Sequence, residues 1–243
     1  MANRIVIKDV DAGYGAVRVL HGLSIEVQEG ETVVLLGTNG NGKSTLMKCI
    51  MGMVRPDAGE IFLETDGRRI DLVGKSPEEI VNLGITLVPE GRRLFPKLTV
   101  EENLLLGAYR RDARKDIERN LRFCFEAFPI LVQRRRQLAG SMSGGEQQML
   151  AIARALMSAP KKLLVLEPSL GLAPIFVNRV IAKIKELKEK YHLTVLMAEQ
   201  NFNQATKIAD RGYIIVHGQI EFEGRSTKEL SEHELVKKYY LGV

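Results

Sequence analysis

The segment Gly37-Thr38-Asn39-Gly40-Asn41-Gly42-Lys43-Ser44-Thr45 constrains this chain more than any other stretch. It satisfies the pattern G-x-x-x-x-G-K-[ST]. Average residue usage produces such a match in about one chain in a hundred of this length. Its setting sharpens it. Thr32-Val33-Val34-Leu35-Leu36 reads as a buried strand entering the loop, and the run from Thr45 to Met51 reads as a helix leaving it. Gly37, Gly40 and Gly42 let the backbone curl so that its N–H groups, with the positive end of the helix dipole, face an anion. Lys43 is placed to reach the β- and γ-phosphates of a nucleoside triphosphate, and the Ser44 hydroxyl to ligate magnesium. Asn39, Gly40, Asn41, Gly42 and Thr45 complete the cradle.

A second motif narrows the class. Ser143-Gly144-Gly145-Glu146 precedes the amphipathic run Met149–Met157. Ser143 with Glu146 three residues on is a capping box, so the segment starts a helix whatever else it does. Its two consecutive glycines would bare backbone N–H groups, as a second anion-binding surface requires. With both motifs in one chain, the sequence resembles the ABC ATPases. The resemblance implies ATP with Mg2+ as the ligand, and a Ser143–Glu146 signature that contacts the γ-phosphate held by an opposite subunit. It covers essentially the whole chain. It implies an α/β fold: a RecA-like P-loop core with an antiparallel β subdomain and an inserted α-helical subdomain at about 91–158, all within one nucleotide-binding domain, 1–243.

The same resemblance places an adenine-stacking aromatic at Tyr14, although a tyrosine beside the turn Gly13-Tyr14-Gly15 equally suits strand packing. It places at Glu90 a residue that senses magnesium and water; most of the family has glutamine there. The superfamily's switch histidine falls at Gln200, whose amide can donate to a γ-phosphate but takes up no proton at neutral pH. The wording Glu90-Gly91-Arg92-Arg93, the signature, Glu167-Pro168-Ser169-Leu170-Gly171-Leu172-Ala173-Pro174 and Glu199-Gln200-Asn201 are together similar to one ATPase subunit of the Liv-type importers for branched-chain amino acids. Urea and short-amide importers share that wording.

One position departs from the pattern. The family's strand ends in aspartate then glutamate; here Leu163-Leu164-Val165-Leu166 runs into Glu167-Pro168. Glu167 matches the catalytic glutamate, and Leu166 stands where the aspartate would help hold magnesium. Three readings follow. Magnesium is held by Ser44, Glu90 and the phosphates while Glu167 orients water; or Glu167 moves into the metal role, leaving Glu199 as a weak substitute base; or the chain binds ATP and dimerises but barely hydrolyses it. Because adjacent strand residues face opposite sides, Glu167 is expected to need a local backbone shift to replace the aspartate.

Elsewhere the patterns are plain. Residues 4–10 and 23–28 alternate as half-exposed antiparallel strands, and strands are expected at 193–198 and 212–217, with Gly218-Gln219 turning a hairpin. Ser76-Pro77-Glu78-Glu79 and Thr99-Val100-Glu101-Glu102 carry capping boxes, and Ser226 through Glu229 caps the closing helices. Val177, Val180, Ile181, Ile184 and Leu187 form an apolar helical stripe. Cys49 and Cys124 each sit in apolar helical patterns, which excludes a disulfide framework or cysteine metal site. The net charge is +5; the runs Arg92-Arg93, Arg110 through Lys115 and Arg134–Arg136 lack aromatic interleaving and are expected on solvated or membrane-facing surfaces, with no nucleic-acid partner. No apolar run nears the ~20 residues that span a bilayer, and Met1–Ile5 shows no signal-peptide core. The resemblance therefore implies a peripheral protein on the cytoplasmic face of the membrane. It pairs with a second ATPase subunit, identical or distinct, and drives separate permease subunits fed by an external solute-binding protein.

Overall fold

A computed structural model describes residues 3–236; the ends of the expected domain, residues 1–2 and 237–243, lie outside it. Strands β1 (Arg4–Tyr14) and β2 (Val17–Gln28) pair antiparallel, and β3 (Thr32–Leu36) follows in a different sheet. After helix α1 (Lys43–Ile50) come β4 (Ala58–Thr65) and β5 (Arg68–Asp71), which complete a four-stranded antiparallel sheet of order β2-β1-β4-β5. Helix α2 (Pro77–Asn82) leads to β6 (Ile85–Val88). A helical stretch follows: α3 (Val100–Gly107), α4 (Arg111–Lys115), α5 (Ile117–Ala127), α6 (Pro129–Gln133), a 3-10 turn at Ala139–Ser141 and α7 (Gly144–Leu156). The chain then returns through β7 (Lys162–Leu166), α8 (Pro174–Tyr191), β8 (Thr194–Glu199), α9 (Phe202–Ala205), β9 (Arg211–Val216), β10 (Gln219–Gly224), α10 (Thr227–Glu232) and α11 (Glu234–Val236).

The second sheet has the order β10-β9-β3-β8-β7-β6, parallel throughout except for β9–β10. Every residue of β3, β7 and β8 is buried, the unbroken apolar pattern of strands covered on both faces. Alternation sorts their side chains into two cores. Leu163, Val165, Val195 and Met197 pack with helices α3 to α8, whereas Leu164, Leu166, Leu196 and Ala198 pack with α1 and the antiparallel sheet. The parallel arrangement also brings the loops after β3, β6, β7 and β8 to one edge, where ligands of such sheets bind.

The three expected capping boxes form, at Ser76/Glu79, Thr99/Glu102 and Ser143/Glu146, and Ser226 caps α10. The stripe Val177–Leu187 is buried as its spacing predicts. Two corrections concern charge. Arg110 donates to Ser158 O and Asn82 O, and Arg92 to Gln147 Oε1 and Gly171 O, so neither is a solvated surface charge. Arg110 reaches two backbone carbonyls at helix ends and Arg92 one backbone carbonyl and one side-chain amide oxygen, pairs that a guanidinium fork can serve together.

Candidate active site

The loop after β3 wraps around the ammonium of Lys43. Its Nζ donates to Gly37 O at 2.7 Å and Thr38 O at 3.1 Å, and lies 2.9 Å from Glu167 Oε1. Three glycines make this curl possible in different ways. Gly40 and Gly42 have φ of 85° and 96°, which L side chains rarely adopt. Gly37 has no room: an added Cβ would lie 2.7 Å from Ile215 Cγ2. The first helical hydrogen bond runs from Leu46 N to Gly42 O, so the N–H groups of Lys43, Ser44 and Thr45 have no intrahelical partner. Asn41 turns away from the cleft. Its Nδ2 donates to Thr38 Oγ1 and its Oδ1 accepts from His217 N, stapling the loop to the β9–β10 turn; only its backbone is free to serve a phosphate.

A cleft of about 270 Å3 opens here, lined by Val19, Asn39, Gly40, Gly42, Lys43, Ser44, Thr45, Glu90 and Glu167. The expected P-loop residues and the two carboxylates thus share one wall system. Glu167 arrives by an unexpected route. It stands one residue past β7 with φ of 49°, so strand alternation no longer governs it. This left-handed turn aims the carboxylate at Lys43. Leu166, still in the strand, is 4% exposed in the core on the α1 side and presents no oxygen.

Glu167 is buried beside Lys43, yet neither of its carboxylate oxygens meets hydrogen-bond geometry with any donor. The contact is charge against charge. Burial pushes the Glu167 carboxyl above the usual carboxylate range; Lys43 pulls it back, Glu199 adds to the rise, and the Gln200 N–H lowers it. A buried carboxylate that faces one ammonium and meets no donor in good hydrogen-bond geometry is a costly arrangement, and facing the phosphate cradle it suits a ligand that brings donors. The residues present therefore fit a magnesium nucleotide. Ser44 and Glu90 offer the oxygens for the ion. Among the described residues no group of three or more His, Cys, Asp or Glu could hold a metal alone; phosphate oxygens and water would complete the shell of such an ion.

Glu199 is wholly buried and accepts four hydrogen bonds, from Ser169 N and Oγ, Gln200 N and Asn201 N. Three of these bonds fall on Oε1 and one on Oε2, and Glu199 lines no wall of the cleft. Gln200 follows it, half-buried. Tyr14, at the end of β1, is 47% exposed, with Lys48 Nζ 3.2 Å from its hydroxyl and 5.4 Å from its ring centroid; it is no packed strand residue. At the start of α7, Ser143 is exposed, and Glu146 is spent on the cap, with Oε2 accepting from Ser143 N at 2.9 Å and Arg134 beside it. Gly145 is required by packing, since a Cβ there would lie 2.5 Å from the Phe176 ring, while a Cβ added at Gly144 would lie 3.3 Å from the Arg92 guanidinium. The cleft takes no wall from Ser143–Glu146. Sequence reasoning missed Ser169 and Arg92 as links between these loops; neither carries a local pattern that signals a partner so distant in the chain.

The fold and this P-loop cleft define an ABC cassette, and the chain belongs to the ABC transporter family, whose model matches residues 20–169. Among its relatives, the high-affinity branched-chain amino acid transport ATP-binding protein BraG of Pseudomonas aeruginosa is 45% identical over 96% of this chain and 97% of its own length. The probable branched-chain amino acid transport ATP-binding protein LivF of Archaeoglobus fulgidus is 34% identical over 96% and 97%. An ATP-binding cassette of an ABC transporter solved in its ADP conformation superposes with a TM-score of 0.82, 28% identity and 99% coverage of both chains. A nucleotide-free cassette gives 0.84, at 27% identity, with 98% of this chain and 97% of the other covered.

Proposed function

We propose that this chain is the ATP-binding subunit of an importer for branched-chain or related hydrophobic amino acids, and that it hydrolyses ATP at the cleft between the P-loop and Glu167. The observation that carries the hydrolytic reading is the orphaned, buried Glu167 carboxylate turned onto Lys43. The solute class rests on the names of the two branched-chain relatives.

In this reading the free N–H groups of the P-loop and Lys43 bind the triphosphate, and Tyr14 stacks on the adenine. Ser44 and Glu90 would hold magnesium, which neutralises phosphate charge when bound. Lys43 exchanges Gly37 O, Thr38 O and Glu167 for phosphate oxygens. Glu167, so released, accepts the hydrogen bond of the attacking water, and Gln200 donates to the γ-phosphate. Ser143, Gly144 and Gly145 cover the triphosphate of a second subunit, identical or distinct.

Among the described residues no helix is long and apolar enough to cross a membrane. A groove of about 400 Å3 between α2, β6, α3 and α7, with Met53, Phe95, Leu106 and Tyr109 exposed along it, is the surface we assign to the permease subunits on the cytoplasmic face.

Magnesium-dependent phosphate release by the purified chain tests the reading, beside Leu166→Asp and with Glu167→Gln as the blank. Release by the natural chain that Glu167→Gln abolishes supports it. Release only by Leu166→Asp overturns the hydrolytic part and leaves an ATP-dependent dimerising subunit. Uptake of labelled leucine by vesicles carrying the assembled transporter tests the solute class.

A further inference from the structure

The loops after β7 and β8 carry the two groups assigned above to water and γ-phosphate, Glu167 and Gln200. They lie side by side because Glu167 N donates to Ala198 O at 2.9 Å, continuing the β7–β8 ladder by one residue. Beyond that bond the strands end, and the Glu199 side chain spans the gap between the two loops. Glu199 Oε1 accepts from Ser169 Oγ at 2.8 Å, Gln200 N at 3.0 Å and Asn201 N at 3.0 Å, while Oε2 faces Ser169 N at 3.3 Å. Two donors come from each loop. Asn201 then caps α9 through Gln204 N, so the second loop is fixed at both ends.

We infer that Glu199 is a positioning residue for hydrolysis: its carboxylate ties the Glu167–Ser169 loop to the Gln200–Asn201 loop and sets the distance between Glu167 and Gln200. The inference rests on the hydrolytic reading above. Its physical basis is that a carboxylate offers about four acceptor sites and no donor. Four N–H and O–H groups converging on a fully buried side chain are satisfied by an acceptor-only carboxylate, whereas the isosteric amide brings donors of its own. A glutamine would keep its oxygen for one loop but turn an NH2 group toward the Ser169 N–H, donor against donor.

Two measurements on the full chain test this. The first is steady-state ATPase with Glu199→Gln and Ser169→Ala. A displaced water-orienting group lowers turnover without weakening nucleotide binding, so kcat should fall about tenfold in Glu199→Gln and less in Ser169→Ala, with KM for ATP within about threefold. The second is amide hydrogen exchange of the nucleotide-free protein, which needs no hydrolysis. In Glu199→Gln both segments, 167–172 and 200–204, should exchange roughly tenfold faster while β3 and α1 keep their protection. Loosening of only the 200–204 segment, or kcat and KM falling in step with a global loss of protection, would overturn the inference. If the natural chain releases no phosphate, the proposed hydrolysis fails by itself, and the exchange result alone decides whether the tether exists.

Discussion

Lys43 Nζ and Glu167 Oε1 stand 2.9 Å apart, each side chain about 5% exposed, and the carboxylate has no hydrogen bond from any donor. The cation that should hold phosphate and the anion that should hold water are thus parked on each other. Glu167→Gln preserves the shape and removes the acceptor charge. It should cut phosphate release by about a hundredfold or more, the range of a lost general base, while ATP binds at least as tightly because Lys43 is no longer drawn away. Stopped-flow phosphate detection with parallel nucleotide titration decides it; unchanged turnover would exclude Glu167 from the reaction.

The raised Glu167 pKa has a consequence for stability. A carboxyl whose folded pKa lies above its unfolded value contributes stability that is present below the unfolded pKa and lost as pH rises through the folded one. Relative to Glu167→Gln, the natural nucleotide-free chain should therefore lose stability from the ordinary carboxylate range up to the raised Glu167 value, then level off. Urea midpoints across that interval check the sign. A difference that grows on acidification would refute the burial argument.

Lys43→Met removes the cation that lies 2.9 Å from Glu167 Oε1. Stranding one partner of a buried pair costs about 3–5 kcal/mol when the remaining charge persists. Protonation of Glu167 relieves the cost, so the destabilisation should be larger at pH 8 than at pH 5. ATP binding should vanish at both. Equal destabilisation at the two pH values would mean the pair contributes little.

Leu166→Asp exchanges a packed side chain for a carboxylate facing Leu164, Leu196 and Ala198. The nucleotide-free variant should melt lower, by an amount matching roughly 2–5 kcal/mol of lost burial. Magnesium and ATP together should restore most of the loss, and phosphate release should rise. Calorimetry with and without the magnesium nucleotide measures both; no recovery on loading would show that residue 166 does not face the ion.

Tyr14→Ala tests the half-exposed ring. Stacking of a base on an aromatic is worth about 1–3 kcal/mol, so affinity for a fluorescent ATP analogue should drop roughly 5- to 150-fold, with Tyr14→Phe near normal. Full affinity in the alanine variant would make the tyrosine a mere neighbour of Lys48.

Much of this was legible in the residues because the governing interactions are local. A capping box binds residues three apart, a P-loop is contiguous, and the Val177–Leu187 stripe repeats at the helical period, so Ser143/Glu146, Gly40/Gly42 and α8 all stand where their patterns place them. The strands β4 and β5 escaped notice because Ala58–Thr65 alternates only in part and Arg68–Asp71 is polar. What sequence could not show is non-local or conformational. Alternation spoke only to whether Glu167 could stand in for an aspartate at 166; its φ of 49° and its pairing with Lys43 are written in no local pattern. The union of Ser169 with Glu199 depends on a strand pairing, and the inward turn of Arg92 and Arg110 on where distant carbonyls end.

Leu166 bears on what the cassette is like at rest. An aspartate there would add an anion on the strand end next to Glu167, close to Glu199, with Lys43 the nearby cation. Hydrocarbon in its place spares the idle protein that mutual repulsion. The β7 end then buries one carboxylate fewer, and the oxygens left to meet an ion in the cleft are those of Ser44, Glu90 and Glu167.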